Sequence, residues 1–313
     1  MRLPEALIDS LSISFAGDDE ALRDSFIEIK NPDLFNSSGT PHEDGIYNLH
    51  MGTVDISLLC STCGNKKDLC HGHGGHIVLK APAQSPFALK AILKFLRIIC
   101  FECGSCIIPR APGVAYYAPS VSVAADMINR KTKPGNCPNC STPHPTVSRD
   151  QSEPLMVTIT NEAGEKRRLT PAEMKVIFSR VSPDTLAALG HPLDAHPSKY
   201  ITSIFHVPSN VIRPANRRLA SKNGINDATV LLKNIVQAND VVGNVGDEGY
   251  QTRADLVELL IYAMIYGATS ASSKTQKITI LKQSTPPESL IARYPRKPGR
   301  PRWNITGRRV HKG

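Results

Sequence analysis

The chain has 313 residues, 41% hydrophobic and 5% aromatic, with eight cysteines and a net charge of +9. That length allows two or three domains and a real apolar core. No segment reaches the apolar length needed to span a bilayer, and Met1–Asp19 lacks the basic-then-apolar pattern of an export signal, so the cysteines read as metal ligands in a reducing compartment rather than as disulfides.

The first fifty residues mix short apolar runs, Leu11–Phe15 and Phe26–Ile29, with turn chemistry at Asn31-Pro32-Asp33 and Ser37–Pro41. Small strands and loops are expected there. Next comes C-S-T-C-G-N-K-K-D-L-C-H-G-H-G-G-H, from Cys60 to His76. Cys60, Cys63, Cys70 and His73 make a Cys3His set suited to a closed structural zinc site, which has no open position for water and so builds shape rather than chemistry. His71 and His76 are the alternatives to His73. Gly64, Gly72, Gly74 and Gly75 allow tight turning around an ion. Loss of this set's ion is expected to loosen the surrounding loops and to leave the Thr170–Val310 region folded.

Ile77-Val78-Leu79 is a strand candidate. Ser85-Pro86 reads as a helix start running to Ile99, with Leu89, Ile92, Leu96 and Ile99 on one face. Two C-x2-C arms follow, Cys100 with Cys103 and Cys137 with Cys140. They suggest a second four-ligand zinc site, each arm gripping one edge of the tetrahedron. Cys106 also forms C-x2-C with Cys103, so the spacing leaves two choices for the first arm.

Residues 150–168 are polar and read as a loop or hairpin turning at Asn161–Gly164. Thr170-Pro171-Ala172-Glu173 is a capping box ahead of an apolar face of Met174, Ile177, Phe178 and Val181. Ser182-Pro183 starts a further short helix that Gly190 ends. A helix from Thr252 to Tyr266 is expected to turn Leu256, Leu259, Leu260, Ala263 and Met264 inward. Eight of the 37 Lys and Arg residues then crowd into Arg293–Gly313, where no acidic residue occurs. A basic block of this kind points to a polyanion held at one place.

Several of these segments carry one resemblance. The pattern C-x2-C-x6-C-x-G-H-x-G-H, preceded by Gly45-Ile46-Tyr47-Asn48 and Met51-Gly52-Thr53, resembles the start of the largest subunit of multisubunit DNA-directed RNA polymerases. Ile177–Ser182, Leu189-Gly190, His196-Pro197 and His206–Pro214 are similar to further segments of that subunit, as is Asn226-Asp227 with the helix to Asn239. Lys297–Val310 resembles its K-E-G-R-x-R-x-N-L-x-G-K-R-V, with Pro298 and Pro301 as departures.

The resemblance implies an α+β fold. It would be an irregular clamp module of mixed short strands and helices with two structural zinc sites, forming part of a larger polymerase. It favours Cys100 with Cys103, leaving Cys106 spare, because the family places that pair just after a helix. Residues 1–149 would be the zinc-containing head and core. Residues 150–270 would be a helical core with a lid-like loop near 215–225, and 271–313 a rudder-like loop with a basic nucleic-acid-contacting segment. Arg217, Arg218 and Lys222 fall in the lid window, and Lys297, Arg300, Arg302, Arg308 and Arg309 on the basic motif. Guanidinium forks suit phosphate oxygens, which position nucleic acid without reading sequence.

The partners implied are the second-largest subunit, the remainder of the largest subunit, the DNA template and the DNA–RNA hybrid, with no membrane. The family's N-A-D-F-D-G-D loop, which holds catalytic Mg2+, does not occur in these residues. The chain is therefore expected to be a fragment or split-gene product, inactive alone, with Mg2+ bound only in the assembled enzyme. The compact layout resembles the subunits of large cytoplasmic DNA viruses, implying a viral factory or virion, with the nucleus as the alternative. A free-standing zinc-containing nucleic-acid-binding protein is the competing class.

Overall fold

A computed structural model describes residues 15–53, 55, 57–108, 120–131, 135–149, 153, 155–213 and 225–266. Helix α1 (Asp18–Arg23) opens the described chain. Its first turn is acidic, and the Glu20 carboxylate accepts from Gly17 N at 3.0 Å. Sequence reading expected strands and loops here, because a six-residue helix is too short to show a period.

Strand β1 (Ser25–Glu28) runs parallel to β2 (Gly74–Gln84), and β6 (Ile201–Val207) pairs antiparallel on the other side of β2. The strand candidate at 77–79 is thus the middle of an eleven-residue strand. Along β2, Ile77, Leu79, Ala81 and Ala83 alternate inward, as a pleated strand with one covered face requires. They pack against Leu232, Ile235 and Val236 of α6 (Asp227–Asp240) and against Val257 and Ile261 of α7 (Tyr250–Tyr266). The outer edge of β6 is blocked by Asp18, whose Oδ1 accepts from Ser203 N at 2.9 Å and Ile204 N at 3.1 Å.

A second apolar core belongs to the residues between β2 and β6. It joins α2 (Leu89–Ile98), α3 (Val121–Lys131) and the antiparallel meander β3 (Thr146–Arg149), β4 (Val157–Thr160) and β5 (Lys166–Leu169). Helices α4 (Pro171–Ser179) and α5 (Pro183–Ala188) complete it. Ile92, Phe95 and Leu96 face Val157, Leu169, Met174 and Phe178 across this core. The capping box holds: Glu173 N donates to Thr170 Oγ1 at 3.3 Å, and Thr170 N returns a bond to Glu173 Oε2 at 2.8 Å. The start at Ser85 differs. Pro86–Ala88 is a 3-10 turn, the Ser85 hydroxyl does not cap it, and the α-helix begins at Leu89.

Helix α7 corrects the reading of its face. Ala263 is buried and Leu260 and Met264 pack against the core as expected, but Leu256 and Leu259 are 47% and 43% exposed, and Val257, Glu258 and Ile261 are buried in their stead. From Leu256 on, the helix is apolar on every side but that of Glu258, so its leucines alone do not orient it. Polar contacts help: Gln84 N donates to Glu258 Oε1 at 2.9 Å, and Arg168 forks onto the Asp255 carboxylate, Nη2 to Oδ1 at 2.7 Å. The two cores meet here, where Arg149 Nη2 also donates to Gln84 Oε1 at 3.1 Å. The chain leaves β2 and returns on neighbouring residues, since Gln84 pairs with Ile201 and Ser85 N donates to Tyr200 O at 2.8 Å. Among the described residues no helix is long and apolar enough to cross a membrane.

Candidate metal centres

All three C-x2-C arms share one turn. Gly64 N donates to Cys60 O at 2.8 Å, Gly104 N to Cys100 O at 3.1 Å and Ser141 N to Cys137 O at 2.8 Å. The return bonds run from Cys60 N to Asn65 O, Cys100 N to Ser105 O and Cys137 N to Thr142 O. The residue just past each arm lies in the left-handed region, at φ +69° for Gly64 and Gly104 and +59° for Ser141. Glycine takes that conformation without a Cβ penalty, whereas serine is strained there.

These turns gather two quartets. Cys60, Cys63, Cys70 and His73 bring one ligand atom each to within 4.8 Å of all the others, and so do Cys100, Cys103, Cys137 and Cys140. In the first, Cys63 Sγ and Cys70 Sγ stand 3.6 Å apart. In the second, Cys100 and Cys140 are 3.5 Å apart and Cys103 and Cys137 3.6 Å. A zinc tetrahedron with Zn–S near 2.3 Å has edges of about 3.8 Å, so the donor sets fit that ion closely. The His73 ring bonds to Cys63 within the group, and its Nε2 is buried without a hydrogen-bond partner. The same ring meets Phe26 edge-on at 4.9 Å. His71 is exposed, and His76 Nδ1 lies 2.7 Å from Ser25 Oγ. The structure therefore brings His73 into the group and leaves the other two outside. Cys106 is outside as well: 1% exposed, it packs with Ile98 and Ile99 in the second core.

Crowding divides the thiols. The His73 hydrogen bond draws Cys63 down to about 6, while burial pushes Cys70 up to about 11. Burial likewise pushes Cys100 up to about 12. Cys103 resists the same upward push, held down to about 6 by hydrogen bonds from Ser105, Asn139 and Cys137. Buried thiols that resist ionisation beside readily ionised ones form a set that a bound cation completes, because a coordinated thiol loses its proton outright. His144, 4% exposed and edge-on to Phe101 at 5.1 Å, stays neutral near pH 7, since burial lowers it to about 4.

The nucleic-acid candidates Arg217, Arg218, Lys222, Lys297, Arg300, Arg302, Arg308 and Arg309 all lie outside the described residues. One cation that sequence reading left without a role is Arg213, 1% exposed. It donates to Pro208 O at 3.0 Å, Ile46 O at 3.1 Å, Asn210 Oδ1 at 3.0 Å and Thr229 Oγ1 at 3.3 Å, and lies 5.6 Å from the Tyr47 ring centroid. Burial lowers it to about 10, so it keeps its charge at neutral pH. Its only sequence signal was its place in the His206–Pro214 segment.

A mixed α+β frame built around two closed, shape-giving quartets is a structural piece of a larger assembly, and its sequence says which. The chain belongs to the family RNA polymerase Rpb1, domain 1, whose model matches residues 5–305. It is the N-terminal part of the largest subunit of a DNA-directed RNA polymerase. It is 30% identical over 328 residues to the DNA-directed RNA polymerase RPB1 homolog of African swine fever virus (isolate Tick/Malawi/Lil 20-1/1983), covering 99% of this chain and 22% of that protein. To the DNA-directed RNA polymerase subunit Rpo1N of Thermoplasma acidophilum it is 26% identical over 322 residues, covering 97% of this chain and 35% of the relative. The Rpo1N subunit of Thermococcus celer gives 26% over 328 residues, 99% and 36%. The chain thus spans well under half the length of these relatives.

Proposed function

We propose that this chain is the clamp-forming part of its polymerase. It holds DNA and the DNA–RNA hybrid during transcription while other parts of the enzyme make the phosphodiester bond. The observation that carries this reading is the match of one polymerase family model to residues 5–305, in a fold that also assembles two metal-ligand quartets. Cys60, Cys63, Cys70 and His73 would hold one zinc ion, and Cys100, Cys103, Cys137 and Cys140 another. Bound zinc supplies folding free energy, on the order of 10 kcal/mol in small modules. With four protein ligands each, the sites stiffen the chain and leave no position for a reacting water.

Residues 1–149, 150–270 and 271–313 serve as head, helical core and nucleic-acid-contacting end. They are stretches of function rather than separate folding units, because both apolar cores draw on the first two. In the lid-like window 215–225, Arg217, Arg218 and Lys222 help part RNA from template. Lys297, Arg300, Arg302, Arg308 and Arg309 grip phosphates. No clustered D-x-D-x-D occurs in the 313 residues, so catalytic Mg2+ is assigned to the assembled enzyme. The partners are the second-largest subunit and the remainder of the largest, and the viral relatives favour a cytoplasmic factory or virion over the nucleus.

Purification of the native complex, with identification of every co-purifying chain, tests this. Expected are a second-largest polymerase subunit and polypeptide sequence containing N-A-D-F-D-G-D. A chain that purifies with nucleic acid and no polymerase subunit would instead be a free-standing binding protein.

A further inference from the structure

Sequence reading confined the first quartet's influence to its own loops. The hydrogen bonds run further. Both arms of that quartet hang on the 3-10 turn Leu49–Met51. Ser61 N donates to Leu49 O at 3.1 Å, Thr62 Oγ1 to His50 O at 2.8 Å and His73 N to Met51 O at 3.3 Å. Asn210, 1% exposed, grips both ends of the same turn, its Nδ2 donating to Asn48 O and to Gly52 O at 2.7 Å each.

The Oδ1 of Asn210 accepts from Arg213, and Arg213 Nη1 reaches Thr229 Oγ1. Thr229, 0% exposed, lies in the first turn of α6 and also accepts from Tyr47 OH at 3.1 Å. The loops are in close contact as well: a Cβ added to Gly72 would stand 2.2 Å from Ser209 Oγ.

We propose that Asn210 and Arg213 are positioning residues that tie the seating of α6 to occupancy of the first metal centre. The proposal rests on the zinc reading of that centre. Asn210, Arg213 and Thr229 are each buried, polar and bonded to a named neighbour. If the turn at 49–51 shifts, the donors of Asn210 and then Arg213 lose acceptors in an interior where water cannot replace them. The disturbance therefore travels to Thr229 instead of dying out at the loop. Among the described residues the second quartet's loops bond to one another and to Arg180, which donates to Phe101 O and pairs with Glu102, and not to α6. Its apolar neighbours are the buried Ile107 and the half-buried Ile128.

The test is hydrogen exchange of the α6 amides at 231–236 in the full chain, with metal content measured on the same samples. Cys70→Ser should remove one metal and speed α6 exchange on the order of tenfold. Cys137→Ser should remove the other metal and leave α6 unchanged. Arg213→Met and the nearly isosteric Thr229→Val should keep the first metal yet speed α6 exchange, and adding Cys70→Ser to either should speed it no further. Thr229→Val carries the test if Arg213→Met does not fold.

Full additivity would make Arg213 and Thr229 plain props for α6 and overturn the relay. So would loss of the first metal with α6 indifferent. If the unaltered chain holds no metal at the first centre, the zinc reading falls and the relay with it.

Discussion

At single residues the structure shows strain and burial that composition hides. Ser141 stands where the matching turns have Gly64 and Gly104, in a left-handed conformation. Ser141→Gly should raise stability by about 0.5–1 kcal/mol, read from denaturant midpoints of the metal-loaded chain. Glu258 carries the opposite kind of information. Burial raises its carboxyl from 4.5 to about 7. The folded chain then binds this proton more tightly than the unfolded chain, so the stability tied to it is full at acid pH and drains away as pH climbs toward 7. Glu258→Gln keeps the acceptor for Gln84 N and removes the charge. Its thermal midpoint should exceed that of the unaltered chain at pH 8, by a free energy on the order of a few kcal/mol, and the gap should shrink toward pH 5. A gap independent of pH would place the carboxyl's ionisation elsewhere. The eight metal candidates were legible because ligation restricts residue type and spacing together. Asn210 and Arg213 were not, because their acceptors at Ile46, Asn48 and Gly52 are remote in sequence and are main-chain carbonyls that any residue supplies, and the Thr229 hydroxyl is brought to Arg213 only by the fold.

Among the elements, local punctuation was read well at Thr170 and at Asn161–Gly164 but not at Ser85, where a 3-10 turn precedes the α-helix, and elements oriented by tertiary contact were read only in part. Thr170 and Glu173 bond reciprocally as their spacing suggests, and the turn at Asn161–Gly164 joins two paired strands. Helix α7 followed the pattern at Leu260, Ala263 and Met264 but not at Leu256 and Leu259, because the buried Glu258 and the Arg168 fork on Asp255 also set its rotation. The basic segment near the C-terminus is an element of a different sort, known from its residues alone. Changing Arg300, Arg302, Arg308 and Arg309 to Ala one at a time should weaken nucleic-acid binding about equally for unrelated sequences. Each lost phosphate contact should flatten the plot of log affinity against log salt by roughly 0.7–0.9. Unchanged affinity and slope in the fourfold variant would make the segment a solvated tail.

For the molecule as a whole, metal analysis of the pure chain should give two zinc ions. Cys100→Ser should lower that to one, and Cys106→Ser should leave two, since Cys106 packs outside the quartet. Equal loss in both variants would mean that Cys106 competes for the ion. The pairing of Gln84 with Ile201 has a further consequence. Everything between them enters and leaves the sheet through adjacent positions, so residues 85–200 are topologically a graft on a continuous host made of the flanking sequence. A host of this kind needs only a short turn to close the wound. Replacing 85–200 with a few turn-forming residues should leave a soluble chain that still binds the first metal and shows the helical signal of α6 and α7. The same geometry lets the graft lengthen, shrink or be exchanged among related subunits without disturbing the strands that carry it.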